Sequence, residues 1–259
     1  MFTSYQAANL QQQYFDIISK YNCVLTEDDY VLFEKSKDLI SHMCEIENHP
    51  ITLFDLNKKE FIYFYFDTKC KTTAGYDDNY TQLQQFYARV HPEDLAFVFD
   101  SKIRTFNFLA SLPPTERLNY KLVFNFSMKN EEGVYCQYIQ RQIVLLTDNE
   151  GKPWLVMNIN SLLSKQNIGI QQQRHLVNIK TGKFYLFNNE LEDGATQLFT
   201  PREKEVFALL AQGLDSVEIA KALNISEHTV NNHRKHVLSK THAGSTARVL
   251  LLANYLGII

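Results

Sequence analysis

Residues 224–240 read Asn-Ile-Ser-Glu-His-Thr-Val-Asn-Asn-His-Arg-Lys-His-Val-Leu-Ser-Lys, and these side chains suit recognition better than bond breaking. Wound as a helix, His228, Asn231, Asn232, Lys235 and Ser239 recur at three- and four-residue steps and share one polar face. Val230, Val237 and Leu238 fall on another face, which must meet a core. A solvated helix face is usually built from Glu and Lys. This one holds two adjacent amides and a Lys, with no acid between Glu227 and Lys240. Asn pairs bidentately with adenine N6 and N7, and Lys with guanine O6 and N7, each for about 1–3 kcal/mol of discrimination. Asn231, Asn232 and Lys235 are therefore the candidate base readers. Ser226, Thr229, Arg234 and Lys240 flank the stripe as candidate phosphate contacts, which position a helix without reading sequence.

The flanking sequence supplies the elements that hold such a helix. Thr200-Pro201-Arg202-Glu203 predicts a helix start, with a Thr cap, a Pro at the first helical position and a Glu three residues after the cap. Val206, Phe207, Leu209 and Leu210 give that helix an apolar stripe, and Gly213 stands where a left-handed C-cap is wanted. Asp215 with Glu218 caps a second short helix that turns Ile219, Ala220 and Leu223 inward. Asn224-Ile225-Ser226 makes the turn, and Ser226 caps the third helix. Ser245 starts a fourth, running through Val249 and Leu252 to Tyr255.

The runs Phe-Thr-Pro-Arg-Glu-Lys-Glu-Val-Phe-Ala-Leu-Leu-Ala-Gln-Gly (199–213), Glu-Ile-Ala-Lys-Ala-Leu-Asn-Ile-Ser (218–226) and Thr-Val-Asn-Asn-His (229–233) resemble the LuxR-type four-helix DNA-binding domain. The resemblance covers about a quarter of the chain. It implies double-stranded DNA as a partner, with Asn231, Asn232 and Lys235 at base-reading positions and Thr229 and Lys240 near the phosphate backbone. The family usually has Lys where Asn231 stands, which implies a different readout there. It also usually has Lys-Leu-Gly-Val where this chain has Lys240-Thr-His-Ala-Gly, which implies a reshaped junction between the third and fourth helices.

Charge is spread unevenly. Residues 196–259 hold seven Lys/Arg and five Asp/Glu, against nineteen and twenty-four in the remainder. So small a positive excess draws little on counterion release, and weak binding per monomer predicts a homodimer on a two-fold operator. His228, His233, His236 and His242 cluster closely, but their spacing fits no zinc pattern and no metal site is expected. At 259 residues and 45% hydrophobic, the chain can bury one or two cores. No apolar run approaches the ~20 residues of a membrane span and no signal peptide opens the chain. The expectation is a soluble, cytoplasmic protein with no membrane contact. Cys23, Cys44, Cys70 and Cys136 lack paired spacing and read as reduced thiols.

Upstream, residues 5–46 carry helical periodicity, broken between Asn22 and Asp29. From Pro50 the pattern turns to strands: Ile51–Leu56 and Phe61–Phe66 flank the hairpin signal Asn57-Lys58-Lys59. Thr81–Arg89 predicts a short helix, and Pro92 begins a longer one that Pro113-Pro114 ends. Strands follow at Leu118–Met128, Val134–Leu146 and Trp154–Leu162. This order, with Gly75-Tyr76, His91-Pro-Glu-Asp-Leu95 and the turns Asn130-Glu-Glu-Gly133 and Asp148-Asn-Glu-Gly151, resembles a PAS domain over about residues 46–164. The resemblance implies a cupped five-stranded antiparallel sheet with helices over one face. Such a domain binds a small molecule or cofactor, or acts purely in dimerisation.

No particular cofactor is identified. Cys70 lies in Asp-Thr-Lys-Cys-Lys, unlike the flavin-reactive light-sensing motif, and His91 reads as part of a turn and cap, not as a haem ligand. A small-molecule ligand remains the candidate. The aromatic run Phe61–Phe66 fits a cavity wall, but the preferred reading is a central strand buried on both faces. Glu93 with Asp94, and Asp77 with Asp78, are sequence neighbours that diverge on a helix and make no acid/base pair. No phosphate-binding glycine loop, nucleophile elbow or metal triad is present, so an enzyme is not expected.

The expected architecture is α+β. It comprises a helical segment (1–45), a PAS-like domain (46–164), a connector (165–195) and an all-α four-helix helix-turn-helix domain (196–259). The connector is expected to hold a small hairpin about Thr181-Gly182 and a polar hinge at Glu190–Gly194. The expected function is transcription regulation, with the N-terminal domain sensing a signal or dimerising. The alternative is a partner-protein module that controls the DNA-binding domain without a small-molecule ligand. RNA polymerase is a candidate further partner.

Overall fold

The computed structural model describes residues 4–47, 51–65, 79–130, 132–164, 172–185, 196–197, 199–241, 244–257 and 259. The chain divides into two compact units, Met1–Leu176 and Val177–Ile259. Gly75-Tyr76, Asp77, Asp78, Cys70, the Glu190–Gly194 segment and His242 lie outside the described residues.

In the first unit, α1 (Ser4–Lys20) and α2 (Glu27–Glu47) precede β1 (Ile51–Asp55) and β2 (Glu60–Tyr65). Then come α3 (Asn79–Ala88), α4 (Pro92–Ser111), β3 (Tyr120–Lys129), β4 (Tyr135–Thr147), β5 (Pro153–Ser164) and β6 (Arg174–Asn178). The sheet runs β2-β1-β5-β4-β3-β6, and the five expected strands pair antiparallel. The sixth corrects the expectation of five. Residues 174–178, read in sequence as part of a connector, lie beside β3. Their burial explains why: Arg174, His175, Leu176, Val177 and Asn178 are all buried, so this strand is covered on both faces.

Local chemistry fixes the turns. The fully buried Asp55 carboxylate accepts from the Asn57 and Lys58 N–H groups (2.7 and 2.9 Å) and from Trp154 Nε1 (3.2 Å), closing the β1–β2 hairpin. At the β4–β5 turn Gly151 has φ +72°, and a Cβ there would lie 2.3 Å from Pro114 Cβ, so only glycine fits. His91 does cap α4: its Nδ1 accepts from Glu93 N at 3.3 Å, ahead of Pro92. The core holds Leu53, Phe99, Phe124, Phe126 and Leu155. Tyr14 of α1 packs on it, 5.6 Å between ring centres from Phe99 of α4. On α2, Phe33 and Ile40 pack with Ile51, Leu53, Trp154 and Leu155, whereas Val31, Leu32 and Leu39 stay exposed.

In the second unit, β7 (Lys183–Tyr185) pairs antiparallel with β8 (Thr196–Gln197). The turn expected at Thr181-Gly182 is present, with Asn178 Oδ1 accepting from Lys180 N and Thr181 N. Four helices follow: α5 (Pro201–Ala211), α6 (Ser216–Leu223), α7 (Glu227–Thr241) and α8 (Thr246–Leu256). Val206, Phe207, Ile219, Val230, Val237, Val249 and Ala253 are completely buried between them. Capping boxes at Thr200/Glu203 and Asp215/Glu218 open α5 and α6, and Ser245 caps α8. Asn224 takes the left-handed conformation (φ 52°) that ends α6 and sets up the turn into α7. Among the described residues no helix is long and apolar enough to cross a membrane.

Candidate nucleic-acid interface and a sheet-lined cavity

The buried Val230 and Val237 orient α7, and they leave the Asn-Lys stripe on the outside of the helix. Ser226 caps it, with Thr229 N donating to Ser226 Oγ at 3.0 Å and the two hydroxyls 2.8 Å apart. Both lie at a helix N-terminus, where free N–H groups and the helix dipole favour an anion. Lys235 is exposed and Asn232 half-buried. Neither side chain forms a hydrogen bond among the described residues.

The other three candidates have partners inside the unit. Asn231 Oδ1 accepts from Ser216 Oγ at 3.1 Å. Arg234 Nη1 donates to the same Ser216 Oγ (2.8 Å) and Nη2 to Thr246 Oγ1 (3.2 Å), so one guanidinium spans α6, α7 and α8. Lys240 Nζ donates to both oxygens of the buried Glu203 (2.8 and 3.0 Å). Burial alone raises the Glu203 carboxyl pKa; Lys240 and the Thr200 cap outweigh it and hold it below the usual value. The sequence reading missed Ser216 and Thr246, since one hydroxyl at the start of each helix carries no periodic signal. It also missed Arg202, which donates to the Leu223 carbonyl at 2.7 Å and ties α5 to the end of α6. No group of potential metal ligands forms among the described residues.

The first unit encloses a cavity of about 60 Å³ between the sheet and its helices. Its walls include Tyr14, Phe54, Phe61, Phe86 and Phe106, with Lys102 and Thr105 of α4 facing Gln140 and Gln142 of β4 and Asn158 of β5. Lys102 Nζ donates to Gln142 Oε1 (3.0 Å) and Gln140 Oε1 (3.3 Å), and Gln140 Nε2 in turn donates to Asn160 Oδ1 (2.8 Å). Burial without a carboxylate partner pushes the Lys102 ammonium pKa down to about 7. Asn158 Nδ2 donates to Thr52 Oγ1 (3.2 Å), while Asn158 Oδ1 and Thr105 Oγ1 are buried with no hydrogen-bond partner. Of the aromatic run, Phe61 lines the cavity and the half-buried Ile62 packs on the other side; β2 stands at the end of the sheet order, which corrects the reading of this run as a central strand. Apart from Phe61, the sequence reading assigned none of these residues to a cavity, although a Lys inside the apolar run Phe97-Val-Phe-Asp-Ser-Lys-Ile103 was a visible signal.

The fold and caps of the second unit define a helix-turn-helix module. Residues 197–253 match the family described as "Bacterial regulatory proteins, luxR family", so the C-terminal unit carries a LuxR-family helix-turn-helix domain. The chain is 50% identical over 58 residues to a putative HTH-type transcriptional regulator of Aeromonas salmonicida, covering 22% of this chain and 30% of that protein. It is 39% identical over 72 residues to the regulatory protein SdiA of Escherichia coli, covering 28% and 30%. The chain thus spans less than a third of the length of these relatives. Among solved structures, the Vibrio cholerae VqmA dimer aligns with 91% of this chain and 89% of its own, at 19% identity and a TM-score of 0.28.

Proposed function

We propose that the chain is a transcription regulator in which α7 enters the major groove of double-stranded DNA and the N-terminal unit binds a small molecule. The observation that carries the DNA reading is the contrast along α7. Among the described residues Asn232 and Lys235 are unengaged, whereas Asn231, Arg234 and Lys240 of the same helix are tied inward. In this reading Asn232 and Lys235 read bases, and Ser226 and Thr229 receive a phosphate at the helix N-terminus. Asn231, Arg234 and Lys240 first hold the helix at its angle, and a base contact by Asn231 gives up its bond with Ser216. The small charge of the unit favours binding as a homodimer to a two-fold site. Selection of binders from random duplexes, followed by anisotropy titration, tests this. An enriched sequence bound no more tightly than its scrambled version rejects the reading.

The ligand reading rests on Thr105 Oγ1 and Asn158 Oδ1. Each buried, unbonded polar atom costs about 1–3 kcal/mol, which a ligand with matching groups relieves. Native and then denaturing mass spectrometry of the full chain checks it, as a non-covalent mass excess lost on denaturation. A stoichiometric protein partner on a chain without such a mass supports the partner-protein alternative instead. A monomeric native mass contradicts the homodimer.

A further inference from the structure

Lys102 is an unusual group to find against an aromatic cavity. Its Nζ is buried, and its hydrogen-bond partners are two neutral amide oxygens, Gln140 Oε1 and Gln142 Oε1. Gln140 cannot turn its amide round to present a donor without breaking its own bond to Asn160. Two acceptors match the two N–H bonds of a neutral amine. An ammonium brings a third donor and a charge, and no ion pair to Lys102 exists among the described residues. The site is therefore built for the unprotonated amine, whose remaining tetrahedral position is a lone pair.

We propose that Lys102 captures a small aldehyde or ketone in this cavity as a reversible imine. The inference rests on the reading of the cavity as a ligand site and names the chemical class that site takes. A lysine amine desolvated in an apolar site is a carbonyl nucleophile. Its pKa, held down to about 7 by burial, keeps about half of it unprotonated at neutral pH.

The step balances without any oxidant or reductant. The Nζ lone pair adds to the carbonyl carbon, and a proton passes from nitrogen to oxygen to give a carbinolamine. The hydroxyl then departs with a second Nζ proton as water, leaving C=N in place of C=O. Addition of water reverses both stages and returns the free amine. Thr105 lies three residues after Lys102 on α4, and its unbonded hydroxyl can donate to the departing oxygen. Asn158 Oδ1 can accept from the carbinolamine hydroxyl. The cavity of about 60 Å³ has room for a small carbonyl compound such as propanal.

The test uses the full chain with propanal and cyanoborohydride at pH 7, followed by peptide mass mapping. An exposed lysine is less than about 0.1% unprotonated at that pH. Lys102 is therefore expected to be propylated at least tenfold faster than the exposed Lys204 and Lys235. Its labelling rate should level off above about pH 7, whereas theirs keeps climbing towards pH 10. Labelling of Lys204 and Lys235 with Lys102 unmodified overturns the imine. No variant is needed, so misfolding cannot obscure the result. Propionamide, of similar size but unable to form an imine, separates the two layers. If it raises the melting temperature while Lys102 stays unlabelled, the cavity is a ligand site and the covalent step is wrong. If it has no effect and Lys102 stays unlabelled, both fall.

Discussion

Arg234 Nη1 lies 2.8 Å from Ser216 Oγ, and the other arm of the same guanidinium reaches Thr246 Oγ1 at 3.2 Å. A residue that looks like a phosphate contact on a helical wheel is thus the joint of three helices. Arg234→Met should lower the melting temperature of the chain's C-terminal transition. It should also weaken binding to every duplex alike, because the angle of α7 loosens. The salt dependence separates the two roles. Loss of a phosphate contact reduces the slope of log K against log salt by about 0.9, whereas loss of a joint leaves the slope as it was. Anisotropy titrations at several salt concentrations decide between them.

For base reading the expectation is the reverse. Asn232→Ala and Lys235→Ala should leave stability nearly unchanged, since neither side chain has a hydrogen-bond partner among the described residues. Each should cost about 1–3 kcal/mol on the preferred duplex and much less on a scrambled one. Equal losses on the two duplexes would remove these residues from sequence readout. Asn231→Ala is the informative control, because its Oδ1 accepts from Ser216. A loss of stability accompanying any loss of preference marks it as a positioning residue.

Lys240 pairs with Glu203, which is buried at 3% exposure while Lys240 is open to solvent at 41%. Lys240→Met leaves the carboxylate without its counter-charge. The cost should be on the order of 1–2 kcal/mol, below that of a fully buried pair because water screens the lysine side. The pH dependence has a definite sign. The folded pKa of Glu203 lies below its unfolded value of 4.5, so its contribution is complete above pH 4.5 and disappears as pH falls through the folded value. Chemical unfolding at pH 7 and pH 3.5 should show wild type and Lys240→Met converging at the acid end. A constant difference across that range contradicts the pairing.

Much of the C-terminal unit was legible because each of its signals is local. Thr200 with Glu203, Asp215 with Glu218, Asn224, Ser226 and Ser245 act within one helical turn of themselves, and all appear where the sequence put them. The five strands of the N-terminal sheet were legible from alternation and turn residues for the same reason. What escaped were contacts made across long stretches of chain. Ser216 meets Arg234 eighteen residues away, Lys102 meets Gln140 thirty-eight away, and the Asp100 carboxylate pairs with Arg174 seventy-four away. The strand β6 escaped likewise. Five residues offer little periodicity, and a strand covered on both faces has no alternation to read.

Lys102 gives the last prediction, and it needs no ligand. In the folded chain its pKa is about 7, while an unfolded lysine keeps its proton to about pH 10.5. Between those values the unfolded state binds one proton more than the folded state, so the stability of the fold must rise with pH. The group contributes about 1.4 kcal/mol per pH unit across that window, and nothing further above it. Lys102→Met removes both the buried amine and the slope. Urea midpoints at pH 7 and pH 9 should therefore rise more for wild type than for Lys102→Met, with the variant the more stable of the two at pH 7. Parallel behaviour of the two proteins would mean that Lys102 keeps its proton in the fold, and the neutral amine on which imine formation depends would not exist.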